Sequence, residues 1–176
     1  MLLVLLSIIL ILSSFLLLLM VKQSFFNSLE DLRKVLDSVR QSSTIVYTYG
    51  AWDLFHPGHL HFLERAKELG DFLIAATVSD APIKKLKGKD RPIQSQEDRA
   101  TIVSSLGCVD AGILQKEYDP SEELLSLQHV NILTKGDDWD YIPGTETIES
   151  IGGELVTFTY TSGYSTSSLI KKIREM

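Results

Sequence analysis

Cysteine is nearly missing from this chain of 176 residues: Cys108 stands alone, so no internal disulfide can form, which suits a reducing compartment. A lone thiol of this kind reads first as a small buried hydrophobe. Neither a Walker A sequence nor GxGxxG follows any expected strand, which excludes the phosphate grip of P-loop kinases and of dinucleotide-dependent dehydrogenases. Basic residues are outnumbered, with 17 Lys and Arg against 23 Asp and Glu and a net charge of −6. That balance argues against a nucleic-acid partner, which needs a basic surface to meet phosphates. No internal repeat or low-complexity tract appears after residue 43.

Charge is absent altogether from residues 2–21, LLVLLSIILILSSFLLLLMV. The run has the length of a bilayer span, roughly 20 residues. A cleaved secretory signal would carry a basic n-region, a shorter apolar core and a small-residue cleavage site, and none is present; an upstream start codon is the other alternative. The expectation is a transmembrane anchor over 1–22. Lys22, Arg33, Lys34 and Arg40 all follow the run, so the positive-inside tendency makes this a single-pass membrane protein with its catalytic domain in the cytoplasm. Residues 23–43 set Phe25, Leu29, Leu32, Leu36 and Val39 at helical spacing, which reads as a juxtamembrane helix and linker that act as a spacer. The folded domain is then 44–176, with nothing upstream contributing to it.

Within 44–176, strand-like and helix-like segments alternate. TIVYTYG (44–50), DFLIAATV (71–78), VDAGIL (109–114), VNILTKG (130–136) and ELVTFTY (154–160) read as strands. Helical segments follow them at 59–71, 95–107, 121–128, 144–153 and 165–175. This order implies an α/β fold with a doubly wound parallel sheet and right-handed crossovers. In such folds ligands bind beyond the C-terminal ends of the strands. Four strand exits are rich in chemistry: GAWDLFHPGH, SDAPIKKLKGKDRP, KGDDW and YTSGYSTSS.

His56-Pro57-Gly58-His59 sits where a strand hands over to a helix. Gly58 allows a phosphate to approach the backbone, the helix N-terminus favours negative charge, and both imidazoles can donate to phosphoryl oxygens. Positioned donors of this sort meet the charge that builds when a phosphoryl group is attacked in line. Zinc is the competing reading, because His61 lies close by, but its spacing puts it on another helical face and no Cys or HExxH pattern supports a metal. Lys84, Lys85, Lys87, Lys89 and Arg91 form a basic run, either a solvated loop or a mobile loop carrying cations over bound phosphates. Gly136-Asp137-Asp138-Trp139 can hold a base or ribose, or can cap a turn. Ser165 to Ser168 stand at a helix start, where hydroxyls cap the helix and can also bind terminal phosphates.

Together these segments resemble the cytidylyltransferase family of nucleotidylyltransferases over residues 44–175. HxGH appears as His56-Pro57-Gly58-His59, the basic loop as KKLKGKDRP, the nucleotide segment as KGDDW, and an ISTS-type motif as Ser165-Thr166-Ser167. The resemblance implies a Rossmann-like fold, Mg2+ bound with a nucleoside triphosphate, and transfer of a nucleotide to a phosphate monoester with release of pyrophosphate. It implies catalytic roles for His56, His59, Lys84 and Lys87. Nucleotide contacts are implied for Gly50, Ala51, Trp52, Gly58, Arg99, Lys135, Gly136, Asp137, Trp139, Ser165, Thr166 and Ser167, and an acceptor-side position for Asp53. A homodimer is the assembly expected.

YGAWDLFH, LERAKELGD and GDDW look like the glycerol-3-phosphate and phosphoethanolamine cytidylyltransferases. SDAPIKKLKGKDRPI and YSTSSLIKKI look like the adenylyltransferase domain of ADP-heptose synthase. Tyr160 stands where the glycerol-phosphate enzymes carry an arginine, and Tyr164 replaces an isoleucine. An anchor would keep a CDP-alcohol near the enzymes of phospholipid synthesis, so CTP and a glycerol 3-phosphate or phosphoethanolamine type of acceptor is the leading expectation. An ATP-dependent enzyme acting on a sugar 1-phosphate is the alternative, and a membrane-tethered nucleotide-binding module without turnover is the rival of another class.

Overall fold

The computed structural model describes residues 24–159 and 163–176. Its centre is two strands buried along their whole length, β2 (Ile45–Gly50) and β3 (Phe72–Val78). Their unbroken apolar runs suit strands covered on both faces. Around them lie β1 (Ser24–Phe26), β4 (Ala111–Gln115), β5 (Ile132–Gly136) and β6 (Glu154–Phe158) in one six-stranded sheet of order β1-β4-β3-β2-β5-β6. Every pairing is parallel. After β2 the chain winds outward through β3 and β4, then returns to place β5 on the other side of β2. The exits of β2 and β5 therefore flank a topological switch point, where a crevice opens.

One face of the sheet buries α1 (Leu29–Val39) and α5 (Ser121–Leu127) through Leu32, Leu36, Leu124 and Leu127, together with α6 (Thr145–Ser150) through Ile148. The other buries α2 (Pro57–Glu68) through Leu63 and Ala66, and α4 (Gln96–Ser104) through Val103. Serines start three helices: the side chains of Ser28, Ser95 and Ser165 accept from the backbone N–H three residues on, at the heads of α1, α4 and α7 (Thr166–Arg174). Gly112 in β4 marks the tightest helix–sheet approach, since a Cβ there would stand 1.9 Å from Ser104 Oγ of α4.

Three expectations from the sequence need correction. The transmembrane helix over 1–22, and the single-pass membrane location that goes with it, are not borne out. No helix among the described residues is long and apolar enough to cross a membrane; the longest, α2, has 12 residues, against the roughly 20 that a bilayer requires. Residues 1–22 themselves lie outside those described. The link to phospholipid synthesis, which leaned on the anchor, loses that support.

Second, residues 24–43 are part of the sheet domain. Ser24–Phe26 pairs with Ala111–Ile113 at the sheet edge, and Leu32, Leu36 and Val39 are at most 1% exposed. Third, the basic segment is a loop only in its second half, which carries Lys89 and Arg91. Asp80–Lys87 forms α3, anchored by the fully buried Ile83. Lys84, Lys85 and Lys87 fall in its last turn, where cations favour the helix dipole, and Gly88, at φ +94°, ends it.

Candidate active site

A cavity of about 370 Å³ opens at the switch point. Its floor is made by the loop after β2 and the start of α2. His56 is the N-cap residue of α2 in extended conformation, and Pro57 takes the first helical position. The helix geometry then brings the His56 and His59 rings into a stack, with centroids 3.8 Å apart and planes 16° apart. Gly58 is required between them, because a Cβ there would stand 2.9 Å from Tyr164 Cβ and 3.1 Å from the His56 ring.

Burial lowers the pKa of His56. His59 is pushed down to about 3, first by burial and then by His56 and Lys87. Both rings are therefore neutral near pH 7. Their Nδ1 atoms are buried and have no hydrogen-bond partner among the described residues. Buried polar atoms of this kind normally find a partner, and here a ligand would supply it.

Asp53, only 1% exposed, holds the loops of the site together. Its carboxylate accepts from Arg91 Nε at 3.1 Å, Ile93 N at 3.0 Å and Gln94 N at 3.1 Å. Its carbonyl accepts from Thr166 Oγ1 at 2.8 Å, at the head of α7. Arg99 performs a similar task from below. Fully buried, it donates to Gln94 O at 3.2 Å, to Asp80 Oδ1 at 2.7 Å and to Ala51 O.

At the far end Lys135, on β5, reaches across to β2. Its Nζ donates to Tyr49 O at 2.6 Å and lies 3.7 Å from the centroid of the Tyr49 ring. Tyr118 and Trp139 complete an aromatic surround, with centroids 5.6 and 5.9 Å from that nitrogen. Burial, and then Lys87, lower the Lys135 pKa to about 7, while Asp138 acts in the opposite sense. Burial and Arg91 also lower the pKa of Lys87.

Most residues singled out from the sequence converge on this cavity. His56, His59, Lys87, Gly50, Ala51, Trp52, Asp53, Gly58, Lys135, Gly136, Trp139, Ser165, Thr166 and Ser167 all line it. Lys84, Arg99 and Asp137 do not: Lys84 is exposed, with its Nζ 3.9 Å from Asp80 Oδ2, Arg99 is buried under the loops, and Asp137 pairs through its backbone with Phe158. Sequence reading missed Tyr49, Phe62, Arg65, Tyr118, Phe158 and Tyr164, which also line the cavity. Phe62 and Arg65 had a readable signal, since His59, Phe62 and Arg65 recur every three residues and share a helix face. Tyr118 had none, because it comes from the connection after β4 and only the fold brings it near.

Cations dominate the lining. Arg65, Lys87, Arg91 and Lys135 face the carboxylates of Asp53 and Asp138, and Asp53 is already engaged. An acidic protein thus gathers an anion-binding centre at its switch point. Among the described residues no group of three or more His, Cys, Asp and Glu side chains could hold a metal ion. With Asp53 committed to Arg91 and two backbone N–H groups, the donor set fits magnesium carried on a triphosphate better than a cage built by the protein.

Comparison with known proteins agrees with this geometry. A family model described as cytidylyltransferase-like matches residues 47–172. The "Bifunctional protein HldE" of Helicobacter pylori is 42% identical over 147 residues, 81% of this chain and 30% of that protein. Its namesake in Syntrophotalea carbinolica is 38% identical over 147 residues, 82% of this chain and 30% of that protein. This chain therefore spans less than a third of the length of these relatives. Among solved structures, the lipopolysaccharide core biosynthesis protein from Thermoplasma volcanium superposes with a TM-score of 0.59 at 26% identity, over 69% of this chain and 100% of that one. The chain belongs to the cytidylyltransferase-like family of nucleotidyltransferases.

Proposed function

We propose that the protein is an ATP-dependent adenylyltransferase acting on a sugar 1-phosphate. The observation that carries the transfer chemistry is the stacked pair of neutral imidazoles, with two unpartnered ring nitrogens in a cavity lined by cations. A phosphate oxygen of the acceptor attacks the α-phosphorus of the triphosphate, the bond from that phosphorus to the bridging oxygen breaks, and pyrophosphate leaves with the electron pair. His56 and His59 donate to the non-bridging oxygens as charge builds on them. Arg65 and the hydroxyls of Ser165 and Ser167, at the head of α7, hold the departing phosphates. Lys87 and Arg91 screen the charge passing between the two reactants. Magnesium bound on the triphosphate would neutralise part of its charge.

ATP is favoured over CTP by the segments SDAPIKKLKGKDRPI and YSTSSLIKKI, which are similar to the adenylyltransferase domain of ADP-heptose synthase. The relatives named HldE, at 38% and 42% identity, support the same choice. The test is pyrophosphate release with ATP and with CTP, each offered glucose and mannose 1-phosphates, glycerol 3-phosphate and phosphoethanolamine. ATP with a sugar 1-phosphate should be the productive pair. Turnover of CTP with glycerol 3-phosphate would overturn the choice of substrates, and no release with any pair would overturn the reading as a whole.

A further inference from the structure

A second cavity, of about 270 Å³, shares no lining residue with the first. It opens at the sheet edge, between the end of β1, the head of α1, the exit of β4 and the first turn of α5. Phe26, Leu29 and Ile113 give it apolar walls that continue into the core. Glu123 also lines it, although this residue is only 4% exposed. Its Oε2 is shut off from solvent and has no hydrogen-bond partner among the described residues. Burial raises the pKa of the carboxyl, while the backbone N–H groups of Glu123 and Lys116 favour its ionised form. A carboxylate oxygen left in this way is costly unless a donor reaches it. The transfer chemistry proposed above makes no use of Glu123.

The charges around the cavity select the donor. Glu122 and Lys116 line it as well, both exposed, so with Glu123 it carries two carboxylates against one ammonium. Its volume lies just below the roughly 300–1,000 Å³ of drug-sized sites, which calls for a small ligand. We propose that this cavity is an effector site for a small primary amine with an apolar body, its ammonium donating to Glu123 Oε2. The body takes the apolar walls, whose aromatic member also favours a cation. Two hydrogen-bonded routes lead from here to the active site. The Lys116 carbonyl accepts from Ser79 Oγ at 2.7 Å and the Gln115 carbonyl from Ser79 N at 2.9 Å; Ser79 is the N-cap of α3, which carries Lys87. The Gln115 side chain accepts from the Tyr47 hydroxyl at 2.8 Å and donates to the carbonyls of Glu117 at 2.9 Å and Tyr118 at 3.1 Å. The connection from β4 to α5 thus touches the amine cavity at Lys116 and the first cavity at Tyr118. An ammonium seated on Glu123 repels that of Lys116 and shifts this connection. The effect on rate rests on the adenylyltransferase reading; the binding does not.

Carbon-13 methyl NMR of the full chain reads the site, because Leu29, Ile113 and Leu114 line it. Phenethylamine and isopentylamine, titrated without nucleotide, should shift these methyl signals. Phenethyl alcohol, of the same shape without the charge, should bind about tenfold or more weakly, the scale of one lost contact to a charged group. Glu123→Gln should weaken phenethylamine by a similar factor and leave the alcohol within about threefold. Lys116→Met, on the exposed rim, should strengthen the amine about two- to threefold by removing a like charge. At saturation phenethylamine should lower kcat/KM for transfer about threefold or more in the wild-type chain and leave Glu123→Gln unaffected. No shift with either amine at about 10 mM, equal affinity for amine and alcohol, or undiminished amine binding in Glu123→Gln would each overturn the amine site. If Glu123→Gln does not fold, the alcohol comparison and Lys116→Met decide it. Amine binding with unchanged kcat/KM would overturn the effector role. Absence of pyrophosphate release with every pair of substrates would instead overturn the adenylyltransferase reading, and the titrations are read separately from it.

Discussion

Two imidazoles stacked at 3.8 Å in a half-buried site cannot both carry a positive charge cheaply, and burial keeps them neutral. In the proposed reaction they donate hydrogen bonds to developing charge, so their loss should appear in turnover before it appears in binding. His59→Ala is expected to lower kcat by about 100- to 1,000-fold, with the triphosphate Kd little changed; isothermal calorimetry and initial rates give the two quantities. Equal losses in both would make the ring a ground-state ligand. Lys135 carries a pH signature. Its pKa near 7, set by burial and Lys87 against Asp138, leaves the ammonium charged below that value and neutral above it. Tyr49 and Tyr118, whose rings surround it, have pKa values raised above the ordinary tyrosine value, chiefly by burial, and stay protonated across this range. Both substrates are anionic and Lys135 lines their cavity, so kcat/KM should fall as pH rises through about 7, and Lys135→Arg, charged throughout, should flatten that limb. An identical fall in both proteins would assign the titration to the acceptor phosphate or another group.

At the scale of elements, the loop after β2, the 91–94 segment and the head of α7 are separate stretches of chain joined through one residue, Asp53. Asp53→Asn keeps the shape but replaces one accepting oxygen with a donor that faces the guanidinium and N–H groups. The expected result is a stability loss of about 1–3 kcal/mol and a kcat at least about tenfold lower through displacement of His56 and Arg91. Thermal melts and steady-state rates measure these. A variant with normal melting and a raised acceptor KM alone would return Asp53 to the acceptor. The sequence made β2, α2 and the histidine pair readable because a β-branched run, a glycine and Pro57 mark the hand-over locally. It obscured α3, where Pro82 and five nearby cations imitate a loop although Ser79 and Asp80 open a helix. The family resemblance implied Arg99 as a nucleotide contact, yet its guanidinium is buried beneath the loops and committed to three acceptors. The aromatic surround of Lys135 draws on three elements far apart in sequence, so no spacing rule could reveal it.

For the whole molecule, the decisive question is where the folded unit begins. A domain starting at residue 44 would leave β4 as a bare sheet edge and α5 uncovered, since Ser24–Phe26 closes that edge and α1 lies over α5. The seam between the two helices is polar as well as apolar: Arg40 meets His129 at 2.6 Å, and Asp37 lies 3.3 Å from the same ring. Deleting residues 1–40 would expose Leu124, Leu127 and Val130, all at most 3% exposed in the intact fold, and would remove Leu32, Leu36 and Val39 from the core they share. Each large aliphatic lost from such a site costs about 2–5 kcal/mol, and whole-domain stability is only about 5–15 kcal/mol. The truncated chain should aggregate or melt far below the full chain, with loss of activity following from unfolding although no cavity residue has been removed. Leu36→Ala in the full chain isolates one such contact, with a melting temperature expected to fall by roughly 5–15 °C while the substrate KM values hold. Calorimetry on the two proteins decides the matter: a chain lacking residues 1–40 that melts within a few degrees of the full-length protein would show that β1 and α1 are accessory to the fold.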